Sequence, residues 1–274
     1  MRTLPVLSRF VLILFPCVAT FGQFGPQFRE AVQLDLDGKG AEARQLLQTK
    51  IDAASSPKEK ADAERTMAMS WAFDGDCKKT GEYEQKVIDY WTTQEQASPS
   101  NAFYQEGEMA DEAARVCIDG GDLEAAEQWY RKGHELGLKE PGISADRKAL
   151  WAFRWEHAQA RIAARRGNRA EAEKHVAAAK AALDQMTDLR RQQEAFLPYL
   201  TGYVAFYLGD YQKALADLQK ASQSDPFIQC LLGQTYEKLG QRDKAMECYR
   251  KAAATNAHNP PAAYARPFAR RKLG

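Results

Sequence analysis

The sequence predicts an all-α chain built as a row of antiparallel helix hairpins, and three observations carry that reading. Alanine and runs of Glu, Lys, Gln, Arg and Leu dominate, while β-branched residues are sparse, which favours helix over strand. A glycine–alanine pattern recurs at a fixed interval of 31: Gly202, Gly209, Ala214 and Ala221 return as Gly233, Gly240, Ala245 and Ala252. Turn-type glycines punctuate the chain at 38, 75, 121, 167, 209 and 240. With 45% apolar and 27% charged residues in 274, the chain has the composition of a folding protein. Its 38 basic against 37 acidic residues argue against a polybasic nucleic-acid binder.

The first 22 residues read as a separate object. Arg2 and Arg9 precede the apolar run Phe10 to Phe15, Pro16 breaks it, and small residues follow up to Gly22. That order is the order of a secretory signal peptide, with cleavage after Ala19 or Gly22. An uncleaved anchor is the rival reading. Pro16, Gly22, Gly25 and Pro26 interrupt the uncharged stretch and make it a poor spanning helix. A lipoprotein signal around Leu14 to Cys17 is a third, weakened by Pro16 before the cysteine. Loss of residues 1–22 would leave 36 basic and 37 acidic groups and four cysteines, Cys77, Cys117, Cys230 and Cys248. An even number in an exported chain permits disulfides. Cys77 follows the turn of the second hairpin and Cys117 ends the first helix of the third. They are the expected pair if neighbouring hairpins stack in register.

The hairpins follow in order. They are expected at about 26–54, 57–97, 99–139, 144–187, 190–224 and 226–256. Ser56 with Pro57, Ser98 with Pro99, Pro141 with Gly142, and Asp225 with Pro226 supply the joints. A last helix is expected after Asn259, with Pro260 in its first turn. Its polar side would come from Arg266, Arg270, Arg271 and Lys272, as a solenoid end requires. Pro267 is expected to bend or split it. Inside a hairpin, Gly233 is expected to oppose Ala245 so that two helices approach closely, while Gly240 ends the first helix in a left-handed turn.

The second 31-residue copy carries Leu232, Gly233 and Tyr236, then Leu239 and Gly240, then Ala245, Tyr249 and Ala252. This resembles the tetratricopeptide repeat. The first copy matches with Leu208, Gly209, Tyr211, Ala214, Leu218, Ala221 and the closing Pro226, but has Thr201 and Ala205 where Leu and Tyr are usual. Weaker copies follow Gly38, Gly121 and Gly167, whereas Gly75 has no clear match after it. The resemblance implies a right-handed superhelix of about six hairpins over residues 26–256, with a capping helix over 257–274. It also implies a non-catalytic scaffold that binds a protein or peptide partner in its concave groove. In such arrays the first helix of each hairpin lines the groove. That register places Arg154, His157, Arg161 and Arg165 of the fourth hairpin there, beside Tyr199, Tyr203 and Phe206 of the fifth. Glu108, Asp111, Glu112 and Arg115 of the third fall at matching positions. Chaperone-binding members hold a carboxylate with Lys and Asn at set positions; here the sixth hairpin has Cys230 and Gln234 instead, so that clamp is not reproduced.

Motifs for chemistry are missing from the sequence. It has no phosphate-binding glycine loop, no paired-histidine zinc motif, no serine-nucleophile elbow and no C-x-x-C. His134, His157, His175 and His258 lie far apart, and Glu171 with His175 reads as a surface pair rather than a metal site. Trp71, Trp91, Trp129, Trp151 and Trp155 read as core between helices. No cofactor, no metal, no nucleic-acid partner and no membrane insertion after signal cleavage are expected. The expectation is therefore an exported scaffold, periplasmic or extracellular. An enzyme with a superhelical body and a purely structural subunit of an envelope assembly remain as the other readings.

Overall fold

The computed structural model describes residues 26–274, all α-helix, 3-10 helix and connecting turns. Residues 1–22, expected to be a signal peptide, lie outside the described residues. Six antiparallel hairpins follow one another. They are α1 (Arg29–Leu36) with α2 (Gly40–Asp52), α3 (Pro57–Phe73) with α4 (Cys77–Thr92), and α5 (Pro99–Gly120) with α6 (Leu123–Leu138). Next come α7 (Ala145–Arg165) with α8 (Arg169–Asp184) and, after the short α9 (Arg190–Gln193) and a 3-10 turn, α10 (Leu197–Tyr207) with α11 (Tyr211–Leu218). The sixth pairs α12 (Pro226–Lys238) with α13 (Arg242–Ala253), and α14 (Pro260–Leu273) ends the chain.

The local chemistry explains the boundaries. Backbone amides at helix starts donate to side chains just upstream: Glu59 to Ser56, Lys79 to Asp76, Ala125 to Asp122, Arg147 to Ser144, Glu171 to Asn168 and Ala262 to Asn259. Each satisfies a donor that has no partner within its own helix. The six turn glycines all have positive φ, between 73° and 94°. That conformation favours glycine and lets the second helix reverse onto the first within a few residues.

Helix contacts within a hairpin place a glycine against a large side chain, which corrects the expectation of small residues facing one another. A methyl group on Gly233 would lie 2.5 Å from the Tyr249 ring, and one on Gly202 would lie 2.7 Å from Leu218. The facing residue is thus four places beyond Ala245 or Ala214, one helical turn on. Trp151 of α7 takes this further. Its fully buried indole fills a slot between Gly107 of α5 and Gly137 of α6.

The first helices of the hairpins face inward, and α14 lies among three of them, α3, α5 and α12. It therefore does not simply cover the last hairpin. Arg266, expected on a wet face, is buried. It donates to the carbonyls of Leu36 at 2.8 Å and Ala253 at 2.8 Å, and also to that of Thr255. Just before α14, His258 stacks on Phe73 and donates to Asp35, which also accepts from Ser70. An apolar cluster joins Leu36, Met69, Phe73 and Val116 to Ala262 and Ala263. The solenoid thus curls until its last helix meets its first hairpin. Pro267 neither splits nor ends α14, which runs unbroken to Leu273. Arg270, Arg271 and Lys272 are the exposed residues of its last turn.

Candidate functional site

The inner channel that α14 leaves open forms a cavity of about 310 Å³ in front of α5 and α7. Pro260 and Pro261 form one wall, and Pro260 also borders a smaller cavity of about 210 Å³. Gln193 and Phe196, from the irregular stretch ahead of α10, stand at the rim. Phe196 is 48% exposed, one of two large apolar side chains so open among the described residues.

One wall is acidic. Glu108, Asp111 and Glu112 project from α5 at i, i+3 and i+4, on one helix face. Glu112 pairs with Arg65 at 2.6 Å. Behind it, burial and the Glu112 charge push the buried Glu84 carboxyl well above its ordinary range. Burial also raises Asp111 to about 7, with Glu108 adding to the rise and Arg154 and Arg161 opposing it.

The other wall is basic, and Arg154, His157 and Arg161 all line it. Arg154 spans to Glu108, lies 4.0 Å from Asp111 and donates to the Tyr104 hydroxyl. Arg115 is paired with Asp119 at 2.9 Å. Arg161 differs. It donates to the Tyr130 hydroxyl at 2.7 Å and to the His157 carbonyl at 3.4 Å. Among the described residues no carboxylate lies within 4.0 Å of it. Burial, together with Arg161 and Arg115, holds His157 well below its ordinary range, so the imidazole is neutral.

The other expected groove residues lie elsewhere. Arg165 donates to the Tyr207 hydroxyl at 2.8 Å and does not line the cavity. Tyr199, Tyr203 and Phe206 do not present an open aromatic stripe, and Tyr203 is wholly buried. The cause is Phe227, at the start of the next hairpin. Its ring stacks on Tyr203 at 6.3 Å and meets Tyr199 edge-on at 6.0 Å, and Tyr264 of α14 packs on its other side. The contributions of Tyr130, Gln193, Pro260 and Pro261 were missed in the sequence, which offers no local signal for the last two.

A disulfide joins Cys77, at the start of α4, to Cys117 near the end of α5. Cys230 and Cys248 are free and buried, and the Cys230 thiol donates to the Ala265 carbonyl of α14. Glu171 and His175 form their surface pair, and His175 also contacts Glu156. Among the described residues there is no cluster of three or more metal-ligating side chains, and no helix is long and apolar enough to cross a membrane.

The fold and its inner cavity define a helical-hairpin solenoid of the kind that binds other proteins. Residues 199–227 and 228–259 match the tetratricopeptide repeat model, so the chain contains two tetratricopeptide repeats in tandem. The match falls on α10–α11 and α12–α13, the hairpins with the 31-residue pattern. Similar solved structures include a tetratricopeptide repeat protein from Parabacteroides merdae ATCC 43184, with 13% identity and a TM-score of 0.38. That likeness covers 90% of this chain and 100% of the other. Another is MamA protein, with 20% identity and a TM-score of 0.31, covering 68% of this chain and 90% of the other. Both overlays are loose. No curated protein matches the chain. Tetratricopeptide repeats serve protein–protein contact, so the coarse class is an interaction scaffold.

Proposed function

We propose that the chain is an exported, non-catalytic adaptor that receives a segment of a partner protein in the cavity between α5, α7 and the start of α14. The observation that carries this reading is the cavity itself. It lies on the inner face of the repeat array, where such folds present their binding surface, and its lining is charged with an exposed aromatic rim. The disulfide between Cys77 and Cys117 supports an oxidising compartment, as does the signal-like order of residues 1–22. A periplasmic or extracellular setting follows from that export. The test is affinity purification from envelope extracts of the source organism with the wild-type chain and Phe196→Asp in parallel. The reading expects specific partner proteins to be recovered by the first and lost from the second. Equal recovery by both chains would contradict it.

A further inference from the structure

We propose that the smaller cavity, of about 210 Å³, is a receptor for a primary alkylammonium group, with the Asp119 carboxylate as its acceptor. It is not the cavity of the adaptor reading, although Pro260 borders both. It lies between α14 and the turns of the second and third hairpins. Asp119 lines it, with a side chain only 4% exposed. Its Oδ2 accepts from Arg115 at 2.9 Å, whereas Oδ1 is buried without a hydrogen-bond partner. Burial pushes this carboxyl above its ordinary range, although Arg115, Arg161 and Arg165 all pull it down. The arginines therefore do not fully offset the cost of burying the charge, and a further cation at Oδ1 is favoured.

The surroundings select a cation on a hydrocarbon stem. α3 ends at Phe73 and α5 at Gly120, and both ends line the cavity. Helix C-termini carry partial negative charge and favour a cation. Among the lining residues Asp74 is a second acid, paired with Arg44 at 2.6 Å. Arg271 is the one base, exposed and with no carboxylate within 4.0 Å among the described residues. Phe73, Val116, Ala263 and Pro267 form apolar walls for a run of methylenes, and the Tyr264 ring adds an aromatic wall suited to a cation. A single open carboxylate oxygen matches an ammonium better than the two-pronged fork of a guanidinium. Cys77 follows Gly75 by two residues and Cys117 precedes Asp119 by two, so the disulfide pins the two turns that frame the cavity. The acceptor and both helix ends are thus held in place before a ligand arrives.

The experiment measures thermal shift and titration calorimetry with three probes: n-butylammonium chloride, a capped Gly-Lys-Gly peptide, and the same peptide with its lysine acetylated. Sodium chloride at matched ionic strength serves as the control. The expected result is saturable binding of butylammonium or of the lysine peptide by the wild-type chain, with a rise in melting temperature and no binding of the acetylated peptide. Asp119→Asn keeps the shape, removes the charge and weakens that binding about tenfold or more. Gly120→Lys keeps the test open if Asp119→Asn folds poorly. A side chain there starts 3.7 Å from the Gly75 carbonyl, so it places a competing cation at the rim and should weaken binding several-fold. Binding of the lysine peptide marks a protein side chain as the source, and binding of butylammonium alone marks a small free amine. No binding of either ammonium probe, equal binding of the acetylated peptide, or equal binding by wild type, Asp119→Asn and Gly120→Lys would overturn the proposal. Partner capture through Phe196 tests the other cavity, so the two readings fail separately.

Discussion

His258 Nε2 donates a 2.8 Å hydrogen bond to Asp35 across 223 residues of sequence, and both side chains are almost wholly buried. The bond joins the segment ahead of α14 to the end of α1 and so holds the two ends of the solenoid together. Asp35 accepts from Ser70 as well, so the carboxylate ties α1, α3 and the last segment at one point.

Breaking one side of such a buried pair leaves the other uncompensated. Asp35→Ala is expected to lower unfolding free energy by about 2–4 kcal/mol. Amide exchange should quicken in α14 more than in α8, which lies away from the closure. Urea melts and exchange mass spectrometry check this. Unchanged stability and unchanged α14 protection would show that the ends are held by other contacts.

The Trp151 slot gives a prediction whose sign opposes helix propensity. In an open helix Gly→Ala stabilises by up to about 1 kcal/mol. At Gly137 the new methyl would sit 2.0 Å from the buried indole, so Gly137→Ala should destabilise by about 1–3 kcal/mol or more. Gly120→Ala has its nearest neighbour 3.7 Å away and should be neutral or mildly stabilising. The contrast is read from paired thermal melts.

Asp111 makes stability fall as pH rises. Its carboxyl binds a proton more tightly when folded, up to about 7, than when unfolded, near 3.8. The stability it contributes is complete below the lower value and is lost through the higher one. Asp111→Asn should therefore flatten the decline between pH 5 and pH 8. The gain at pH 8 should be about 1–3 kcal/mol, because the group keeps some contact with water. Equal slopes for the two proteins would refute the assignment.

The disulfide closes a loop of 40 residues between the second and third hairpins. Replacing Cys77 and Cys117 together by alanine should cost roughly 2–4 kcal/mol. Reduction of the wild-type chain should bring its denaturation midpoint close to that of the double variant. A midpoint insensitive to reductant would mean that the bond contributes nothing.

What was legible in the sequence was local. Turn glycines and the 31-residue repeat mark hairpins because a left-handed turn and a helix-facing glycine are each set within one hairpin. Arg154, His157 and Arg161 share a face because their spacing of three and four is nearly one helical turn, and all three line the cavity. Tyr199 and Tyr203 have the same kind of spacing, yet Phe227 of the next repeat covers them. Whether an inward residue stays open depends on the neighbouring repeat, which its own periodicity does not contain. The return of α14 to α1 depends on curvature accumulated over six hairpins. No short pattern records it, and so Arg266 and Pro260 read as parts of an ordinary end helix.

The account stands most directly on where the partner touches the chain. A photo-crosslinking residue placed at Gln193, on the cavity rim, is compared with one at Ala177, exposed on α8, in envelope extracts of the source organism. The account predicts discrete protein adducts from position 193, reduced when Phe196→Asp is added, and none above background from position 177. Adducts formed equally from both positions, or from 177 alone, would contradict it.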